Sequence, residues 1–487
     1  GQGFDRLLAE HRRAWAARWD AGDIVVEGDA DMQLAVRFAL FHLMGSVADT
    51  GEAAVGARGL TGTSYRGHVF WDADTFVLPF LAATHPTAAR AMLEYRVRRL
   101  PAALDAAREM GRAGARFPWE SASSGRDVTP LAARDRTGRI IPILTGQLED
   151  HIVAEVAWAV NCYAEWTGDD EFALGPGLRV LVETARYWVS RMRVEGNGTA
   201  HIDGVIGPDE YHESVDDNAF TNLMARWNLR RAATAVDALG FVAAGVEAAE
   251  THQWKQLADA VVDGWDPNTG VYEQFAGFNR LEPLIISEVA PRRPIAADVL
   301  LGVPRVQGAH VIKQADVLML HHLIPDDVMP GTLEANLHYY EPRTAHGSSL
   351  SPSIHASLFA RAGEFDKALE ALRIASRIDL DDLTGSTAGG LHLATMGGLW
   401  QAFAFGIGGL RPRGGRLVVD PRLPPSWSGL EIRVCFHGVG VRVRFDHRAL
   451  TIDADGPAGV IVDGTPYTAD SGTLTFSRNG PRWELTT

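Results

Sequence analysis

The sequence has little cysteine, no long apolar run and a shortage of positive charge. Its two cysteines, Cys162 and Cys435, stand far apart among 487 residues, so no disulfide framework is expected and a reducing cytoplasm is the default location. No stretch approaches the roughly 20 apolar residues of a membrane helix. The first 30 residues are charged rather than signal-like. These absences argue against a disulfide scaffold and against a membrane protein.

Acidic residues outnumber basic residues, 61 against 46, which gives a formal net charge of -15. Such a charge disfavours nucleic acids and anionic membrane surfaces as partners and favours a neutral small molecule. An anionic co-substrate would need a local site of basic side chains or backbone N–H groups. We predict no metal ion and no organic cofactor.

Most of the chain up to about Gly408 has apolar residues at helical spacing, separated by Gly- and Pro-rich loops that are often long. Long loops usually build a site or are disordered, and the aromatic residues in these loops are not typical of disorder. The spacing predicts helices over 30–46, 86–111, 148–166, 170–192, 219–239, 312–322, 353–362, 365–377 and 394–406.

Beyond Pro412 the sequence changes to short β-favouring runs broken by Gly, Pro and Asp. Helices followed by strands indicate helices packed on helices plus a separate sheet layer. We therefore expect a mainly α protein with a small C-terminal antiparallel β domain. The predicted strands include 417–419, 432–436, 439–445, 450–452 and 460–462.

The segment Gly-Pro-Asp-Glu-Tyr-His-Glu at 207–213 places three carboxylates and an imidazole just before a predicted helix. Neighbouring negative charge and partial burial disfavour ionisation, so one of these carboxylic acids can stay protonated near neutral pH and act as a general acid. A capped helix start, where acidic residues are favoured, explains the same cluster equally well.

Two loops join a tryptophan to a carboxylate, namely Trp71-Asp72 and Trp119-Glu120. Sugars stack their C–H faces on aromatic rings while their hydroxyls bind carboxylates, amides and guanidinium groups. A buried tryptophan in a helical core explains either loop alone, but two such loops in one chain favour a sugar site.

The segment 339–352 contains a Gly-Ser-Ser stretch that enters a helix. Backbone N–H groups, the hydroxyls of Ser348 and Ser349 and the positive helix end can together hold an oxyanion such as phosphate, and His346 can add charge. A serine-capped helix start is the common alternative. Glu341, in the same segment, is a candidate second carboxylate.

Two further positions are candidates only if the loops form one site. Lys313-Gln314 opens a mostly apolar predicted helix, and His392 lies at another junction between a loop and a helix. The alternatives are a surface Lys–Gln pair and a hydrogen-bonded core histidine.

Taken in order, these segments resemble the catalytic and C-terminal domains of glycoside hydrolase family 65, the inverting disaccharide phosphorylases and related hydrolases. The resemblance spans nearly the whole chain, and the ordered set of motifs is highly specific. The motifs are Gly67-His68-Val69-Phe70-Trp71-Asp72, Phe117-Pro118-Trp119-Glu120-Ser121-Ala122, Gly207-Pro208-Asp209-Glu210-Tyr211-His212-Glu213, Ile312-Lys313-Gln314-Ala315-Asp316, Tyr340-Glu341-Pro342-Arg343-Thr344, His346-Gly347-Ser348-Ser349-Leu350-Ser351-Pro352 and Gly390-Leu391-His392-Leu393-Ala394.

The resemblance implies an (α/α)6 barrel of twelve helices in two layers, with a site in the loops at one end. It divides the chain into a linker helix region at 1–28, a catalytic domain at 29–410 and a C-terminal β-sheet domain at 411–487. The large N-terminal β-sandwich usual in the family is missing, so we expect either a piece of a longer product or a lost domain. Because that sandwich helps to form the dimer in relatives, a homodimer stays an open expectation.

The resemblance also implies roles for the candidate residues. Glu210 is the general acid, and Trp71, Asp72, Lys313 and Gln314 bind the non-reducing glucose, with Trp119 and Glu120 as further substrate-site residues. Ser348, Ser349 and His392, together with His346, match the phosphate-site pattern.

Three functions are compatible with these roles. We favour inverting phosphorolysis of an α-glucosidic disaccharide of the kojibiose, trehalose, nigerose or maltose type, with inorganic phosphate as co-substrate. The reason is that 346–351 and His392 match the phosphate-site pattern, while Glu341 also occurs in phosphorylase-like segments. Phosphate is itself a nucleophile, so this reaction needs only the acid. The alternative is inverting hydrolysis with Glu341 as the base that activates water. A non-catalytic sugar-binding protein is the third.

Overall fold

The computed structural model describes residues 3–134, 138–290 and 292–486, so residues 1, 2 and 487 of the predicted terminal regions lie outside the described part. The chain is mainly helical up to about residue 407 and then forms strands. The longer helices are Phe4–Gly22, Ala30–Gly45, Leu78–Thr84, Pro86–Glu109, Ile152–Thr167, Leu178–Arg191, Ala219–Leu239, Ala248–Ala260, Val317–Leu323, Leu333–Tyr340, Ser351–Ala362, Phe365–Arg377 and Leu393–Gln401.

From Ala30 onward, helices that are buried over most of their surface alternate with helices that are buried on one side only. The first kind has apolar or small residues on almost every face, as in Leu78–Thr84, and the second has the single apolar stripe of an amphipathic helix, as in Phe365–Arg377. Ala30–Gly45 also packs against Leu393–Gln401, so the first and last helices of the series are neighbours.

The C-terminal strands form two sheets whose inward residues alternate with exposed ones, as expected for strands with one buried face. The larger sheet is antiparallel and consists of Ile24–Glu27, Gly429–Phe436, Val439–Phe445, Ala449–Ala454, Thr473–Asn479 and Arg482–Leu485. The smaller sheet consists of Thr465–Asp470, Pro457–Val462, Arg416–Val419 and Arg411–Arg413, and its one parallel pair joins Pro457–Val462 to Arg416–Val419.

The prediction of a mainly α protein with a C-terminal antiparallel β region is confirmed. Two details differ from the prediction. Ile24–Glu27, within the predicted linker, pairs with Gly429–Phe436 and so ties the start of the chain to the C-terminal sheet. The helix predicted at 312–322 begins only at Val317. Ile312 forms a parallel β-bridge with Thr344, so the segment that leads into the helix is not helical.

Within these described ranges, none of the helices combines the length and the apolar character needed to cross a membrane.

Candidate active site

One cavity of about 520 Å³ gathers eight of the twelve predicted site residues. These eight are Trp71, Asp72, Trp119, Glu210, Lys313, Ser348, Ser349 and His392. They come from six separate segments of the helical region, so the fold brings together loops that are up to 321 residues apart in sequence. The four other predicted residues, which do not line the cavity, are Glu120, Gln314, Glu341 and His346.

The two tryptophan loops are joined by backbone hydrogen bonds between Val69 and Ser121, with N···O distances of 2.9 and 2.8 Å. The bridge carries Trp71 and Trp119 to the same wall, where Phe70 packs edge-on against Trp119 at 5.8 Å between ring centroids. Such an apolar wall is suited to the C–H face of a sugar ring.

Glu120 lies behind this wall rather than on it. Its Oε1 is 2.6 Å from Nδ1 of His68, and its side chain is buried. The hydrogen bond ties the second tryptophan loop to the first, so Glu120 positions the wall in this structure.

Asp72 begins a π-helical turn, Asp72–Val77, that continues into the buried helix Leu78–Thr84. Turns of this kind are frequent at functional sites because they re-aim a side chain within a helix. Burial, together with the nearby charge of Glu210, raises the pKa of Asp72 to about 7.

Glu210 faces the cavity and forms an ion pair with Lys313, with 3.0 Å between Oε1 and Nζ. Burial lowers the pKa of Lys313, but the carboxylates of Glu210 and Glu149 outweigh this effect and raise it, so the ammonium is charged. The carboxylate of Glu210 and the ammonium of Lys313 thus lie side by side in the cavity that Trp71 and Trp119 line.

Asp209, next to Glu210 in sequence, ties the loop of Glu210 to the segment of Lys313. Its Oδ1 accepts the backbone N–H of Lys313 at 2.7 Å, and its Oδ2 accepts the side-chain amide of Gln274 at 2.8 Å. Its own N–H donates to Oδ2 of Asp316 at 3.2 Å. Gly207 is required here, since a Cβ at that position would lie 2.5 Å from Oδ2 of Asp316.

Gln314, predicted as a sugar-binding residue, is buried and donates from Nε2 to the carbonyl oxygen of Pro208 at 2.5 Å. This hydrogen bond supports the loop that carries Glu210 on the side away from the cavity. The sequence places Gln314 beside Lys313, but the extended backbone there sends the two side chains to different places.

The serine pair lies one turn before the helix Ser351–Ala362, where the positive end of the helix dipole meets the cavity. His392 completes this region. Its Nδ1 is 2.7 Å from Oδ1 of Asp379, and its Nε2 is 3.2 Å from the hydroxyl of Ser386, which also lines the cavity.

His346 points away from the cavity, with its Nδ1 2.9 Å from Oγ of Ser351 and its ring 4.6 Å from that of His355. Burial, with the nearby His355 and Arg293, holds the pKa of His346 well below its usual value. The ring is therefore neutral and does not supply the positive charge that the sequence suggested.

Glu341 forms an ion pair with Arg293 outside the cavity. Its Oε1 lies 2.5 Å from a guanidinium nitrogen of Arg293, which also donates to the carbonyl oxygens of Glu341 and Thr344. Within the described ranges, the carboxylates that line the cavity are those of Asp72 and Glu210.

Sequence reasoning missed three residues that matter to this geometry. Arg58 and Tyr65 line the cavity, and Asp379 holds His392. None of the three lies in a segment with a recognisable chemical pattern, so only the folded chain reveals them.

A helical fold whose cavity places a carboxyl group among tryptophans and beside a helix N-terminus is typical of a carbohydrate-active enzyme domain. The Glycosyl hydrolase family 65 central catalytic domain matches residues 37–401, and the C-terminal domain of the same family matches residues 410–469. The chain belongs to glycoside hydrolase family 65.

Several curated relatives are similar over most of this chain. A kojibiose phosphorylase of Halothermothrix orenii is 38% identical over 467 residues, which cover 92% of this chain and 59% of the relative. A kojibiose phosphorylase of Escherichia coli (strain K12) is 37% identical over 473 residues, covering 95% and 61%. An α,α-trehalose phosphorylase of Thermoanaerobacter brockii is 34% identical over 455 residues, covering 91% and 57%.

The chain thus spans about three fifths of the length of these relatives. Among solved structures, a provisionally named kojibiose phosphorylase from the human microbiome superposes with a TM-score of 0.88 at 26% identity, covering 98% of this chain and 70% of that one.

Proposed function

We propose that the chain catalyses inverting phosphorolysis of an α-glucosidic disaccharide, giving β-glucose 1-phosphate and a released sugar. The observation that carries the proposal is the single cavity that holds Glu210 beside Trp71 and Trp119 and opens on Ser348 and Ser349. A proton donor, a sugar platform and an anion-binding helix end are the parts that this reaction needs.

In the proposed reaction, Glu210 gives its proton to the bridging oxygen as the bond from that oxygen to C1 breaks. A phosphate oxygen attacks C1 from the opposite face, which inverts the configuration and leaves the phosphate ester on C1. Glu210 then regains a proton from solvent. Phosphate replaces the base and water of a hydrolase, so one carboxyl group is sufficient.

The remaining roles follow from the same resemblance. We propose that Trp71, Asp72 and Lys313 bind the non-reducing glucose and that Trp119 stacks on the substrate. Ser348, Ser349 and His392 bind the phosphate. Glu120 and Gln314 act through their neighbours, since they support the tryptophan wall and the acid loop.

We also infer that the twelve longer helices described from Ala30 to Gln401 form the (α/α)6 barrel, with the mostly buried helices as the inner ring. The alternation of buried and one-sided helices supports this inference, as does the packing of Ala30–Gly45 against Leu393–Gln401, which closes the series.

Kojibiose and trehalose are the first substrates to test, because phosphorylases of these sugars are similar to this chain over most of its length. The experiment incubates the protein with kojibiose, trehalose, nigerose and maltose, each with and without inorganic phosphate, and measures glucose 1-phosphate and free glucose. We expect release of glucose 1-phosphate from one disaccharide only when phosphate is present. Equal turnover in phosphate-free buffer would establish hydrolysis instead.

The Glu210→Gln variant separates an enzyme from a sugar-binding protein. Loss of a general acid reduces turnover by about 10²- to 10⁴-fold, while binding of the disaccharide, measured by calorimetry, stays within a few fold. Turnover that survives the substitution undiminished would show that Glu210 is not the proton donor.

A further inference from the structure

Arg58 lines the same cavity as Ser348, Ser349 and His392. Its side chain is almost enclosed, since the residue is only 8% exposed, and its guanidinium carbon lies 5.6 Å from the ring centroid of Tyr65. Arg58 is therefore a buried cation at the wall of the proposed active site.

Buried arginines elsewhere in this chain are neutralised by a carboxylate. Arg96 pairs with Asp74, and Arg116 pairs with Asp150 at 2.8 Å. Arg58 has no carboxylate oxygen within 4.0 Å among the residues that the structure describes, and it acts on Asp72 only at longer range. A buried charge without a direct counter-ion is costly, so its retention points to an anion that arrives from outside.

The donors of Arg58 are only partly used. Nη1 donates to the carbonyl oxygen of Gly390 at 2.7 Å, which fixes the plane of the guanidinium group. Within the described ranges, Nε and Nη2 have no protein acceptor, yet they are not sealed off from the cavity. A guanidinium group held by one edge presents the other edge to a ligand, and this fork matches two oxygens of a phosphate.

The backbone around Arg58 is anchored beside His392. The N–H of Leu393 donates to the carbonyl oxygen of Ala57 at 3.3 Å, and the N–H of Leu391 donates to the hydroxyl of Thr61 at 2.8 Å. Gly390 allows this close approach, because its φ is +119° and a Cβ there would lie 2.8 Å from Cβ of Arg58. The two segments therefore place the guanidinium group and the imidazole on one side of the cavity.

The charges in the cavity favour such a role for Arg58. Lys313 is paired with Glu210, which leaves the carboxyl group of Asp72 and the formal charge of -15 on the whole chain to repel a doubly charged phosphate. The hydroxyls of Ser348 and Ser349 and the N-terminus of the helix Ser351–Ala362 offset only part of this repulsion.

We propose that Arg58 is a phosphate-binding residue that holds the inorganic phosphate co-substrate together with Ser348, Ser349 and His392. This inference rests on the proposed phosphorolysis. It adds the principal cation of the phosphate site, which none of the sequence motifs supplies.

The test compares Arg58→Gln and Arg58→Lys with the wild type in steady-state phosphorolysis. Loss of a charge-assisted double hydrogen bond predicts a KM for phosphate that is about 10- to 100-fold higher in Arg58→Gln. The KM for the disaccharide should change by less than about threefold. Arg58→Lys keeps the charge but loses the fork, so its KM for phosphate should lie between those of the wild type and Arg58→Gln.

Arg112→Gln is the matched control. Arg112 also donates to a single backbone carbonyl, that of Ser190, and has no carboxylate partner in the described part of the chain, but it lies outside the cavity. We expect both KM values of this variant to equal those of the wild type.

A binding measurement without turnover completes the test. Inorganic phosphate should raise the midpoint of thermal unfolding of the wild type and of Arg112→Gln, and should raise that of Arg58→Gln less at every concentration. Should Arg58→Gln fail to fold, an unchanged KM for phosphate in Arg58→Lys would overturn the inference. An unchanged KM in Arg58→Gln would overturn it while phosphorolysis stood, whereas the absence of phosphate-dependent turnover in the wild type would overturn the proposed function itself.

Discussion

Nζ of Lys313 lies 3.0 Å from Oε1 of Glu210, and the two side chains are 26% and 25% exposed in the cavity. The ammonium and the carboxylate of the proposed proton donor are therefore charge partners. A bound glucoside that takes a hydrogen bond from Lys313 would draw the ammonium away from Glu210. We therefore expect Lys313 to take part in sugar binding as well as in the ion pair.

Replacement of Lys313 by Gln tests this role. The variant loses the charged contact proposed for the sugar, so kcat/KM for the disaccharide should fall by about 10- to 100-fold. Steady-state assays with the disaccharide varied provide the check, and an unchanged kcat/KM would show that Lys313 does not bind the sugar.

Glu341→Gln separates phosphorolysis from hydrolysis. Because Glu341 pairs with Arg293 and does not line the cavity, the substitution should leave kcat within about threefold and lower the thermal stability slightly. Loss of an essential base would instead lower kcat by about 10²- to 10⁴-fold. Measurements of kcat for Glu341→Gln and Glu210→Gln at saturating disaccharide distinguish the two outcomes.

The mainly helical character of the chain and several helix bounds could be predicted from the sequence, because hydrophobic periodicity is a local pattern. The helices at Pro86–Glu109, Ala219–Leu239 and Phe365–Arg377 match their predictions to within two residues at each end, since each has a clear apolar stripe. The short helices Leu78–Thr84 and Val317–Leu323 are buried on all sides and lack that stripe, so periodicity did not define their bounds.

The site could be predicted only in part, because neighbours in sequence need not face the same way. Lys313 and Gln314 are adjacent, yet the first lines the cavity and the second supports Pro208 from behind. His346 precedes the serine pair but turns inward at a φ of +51°. Arg58 stands in a loop without any chemical pattern, and its role depends on a contact with Gly390 from the other end of the chain.

Asp379 offers a test of the phosphate site that does not alter a lining residue. Its Oδ1 lies 2.7 Å from Nδ1 of His392, so the carboxylate orients the imidazole ring. Asp379→Asn should raise the KM for phosphate by about 3- to 10-fold and leave the KM for the disaccharide unchanged. An equal effect on both KM values would indicate a general disturbance of the cavity instead.

Three buried ionisable side chains, one of which packs against Trp71, predict how the stability of the protein depends on pH. His151 lies between Glu149 and Glu155, at 3.1 and 2.9 Å, and none of the three side chains is exposed. Burial, with the charge of Glu210 as a smaller contribution, raises the pKa of Glu149 to about 8. The two carboxylates outweigh burial at His151 and raise its pKa to about 10.

Both folded-state pKa values lie above their unfolded values, so the folded protein keeps protons that the unfolded chain releases. The stability that these protons contribute is complete below the unfolded pKa values and is lost as the pH rises through the folded ones. Buried neutral histidines such as His322 and His355 act in the opposite sense, but mainly below their unfolded pKa of about 6.5. Between pH 7 and 9 the free energy of unfolding should therefore fall, by an amount on the order of 2 kcal/mol.

Thermal or urea unfolding across that range measures the decrease, and Glu149→Gln should make it shallower because the variant has one titrating group fewer while its amide oxygen can still accept from His151. A free energy of unfolding that stays level or rises from pH 7 to 9 in the wild type would show that the pKa values of Glu149 and His151 are not raised in the folded protein.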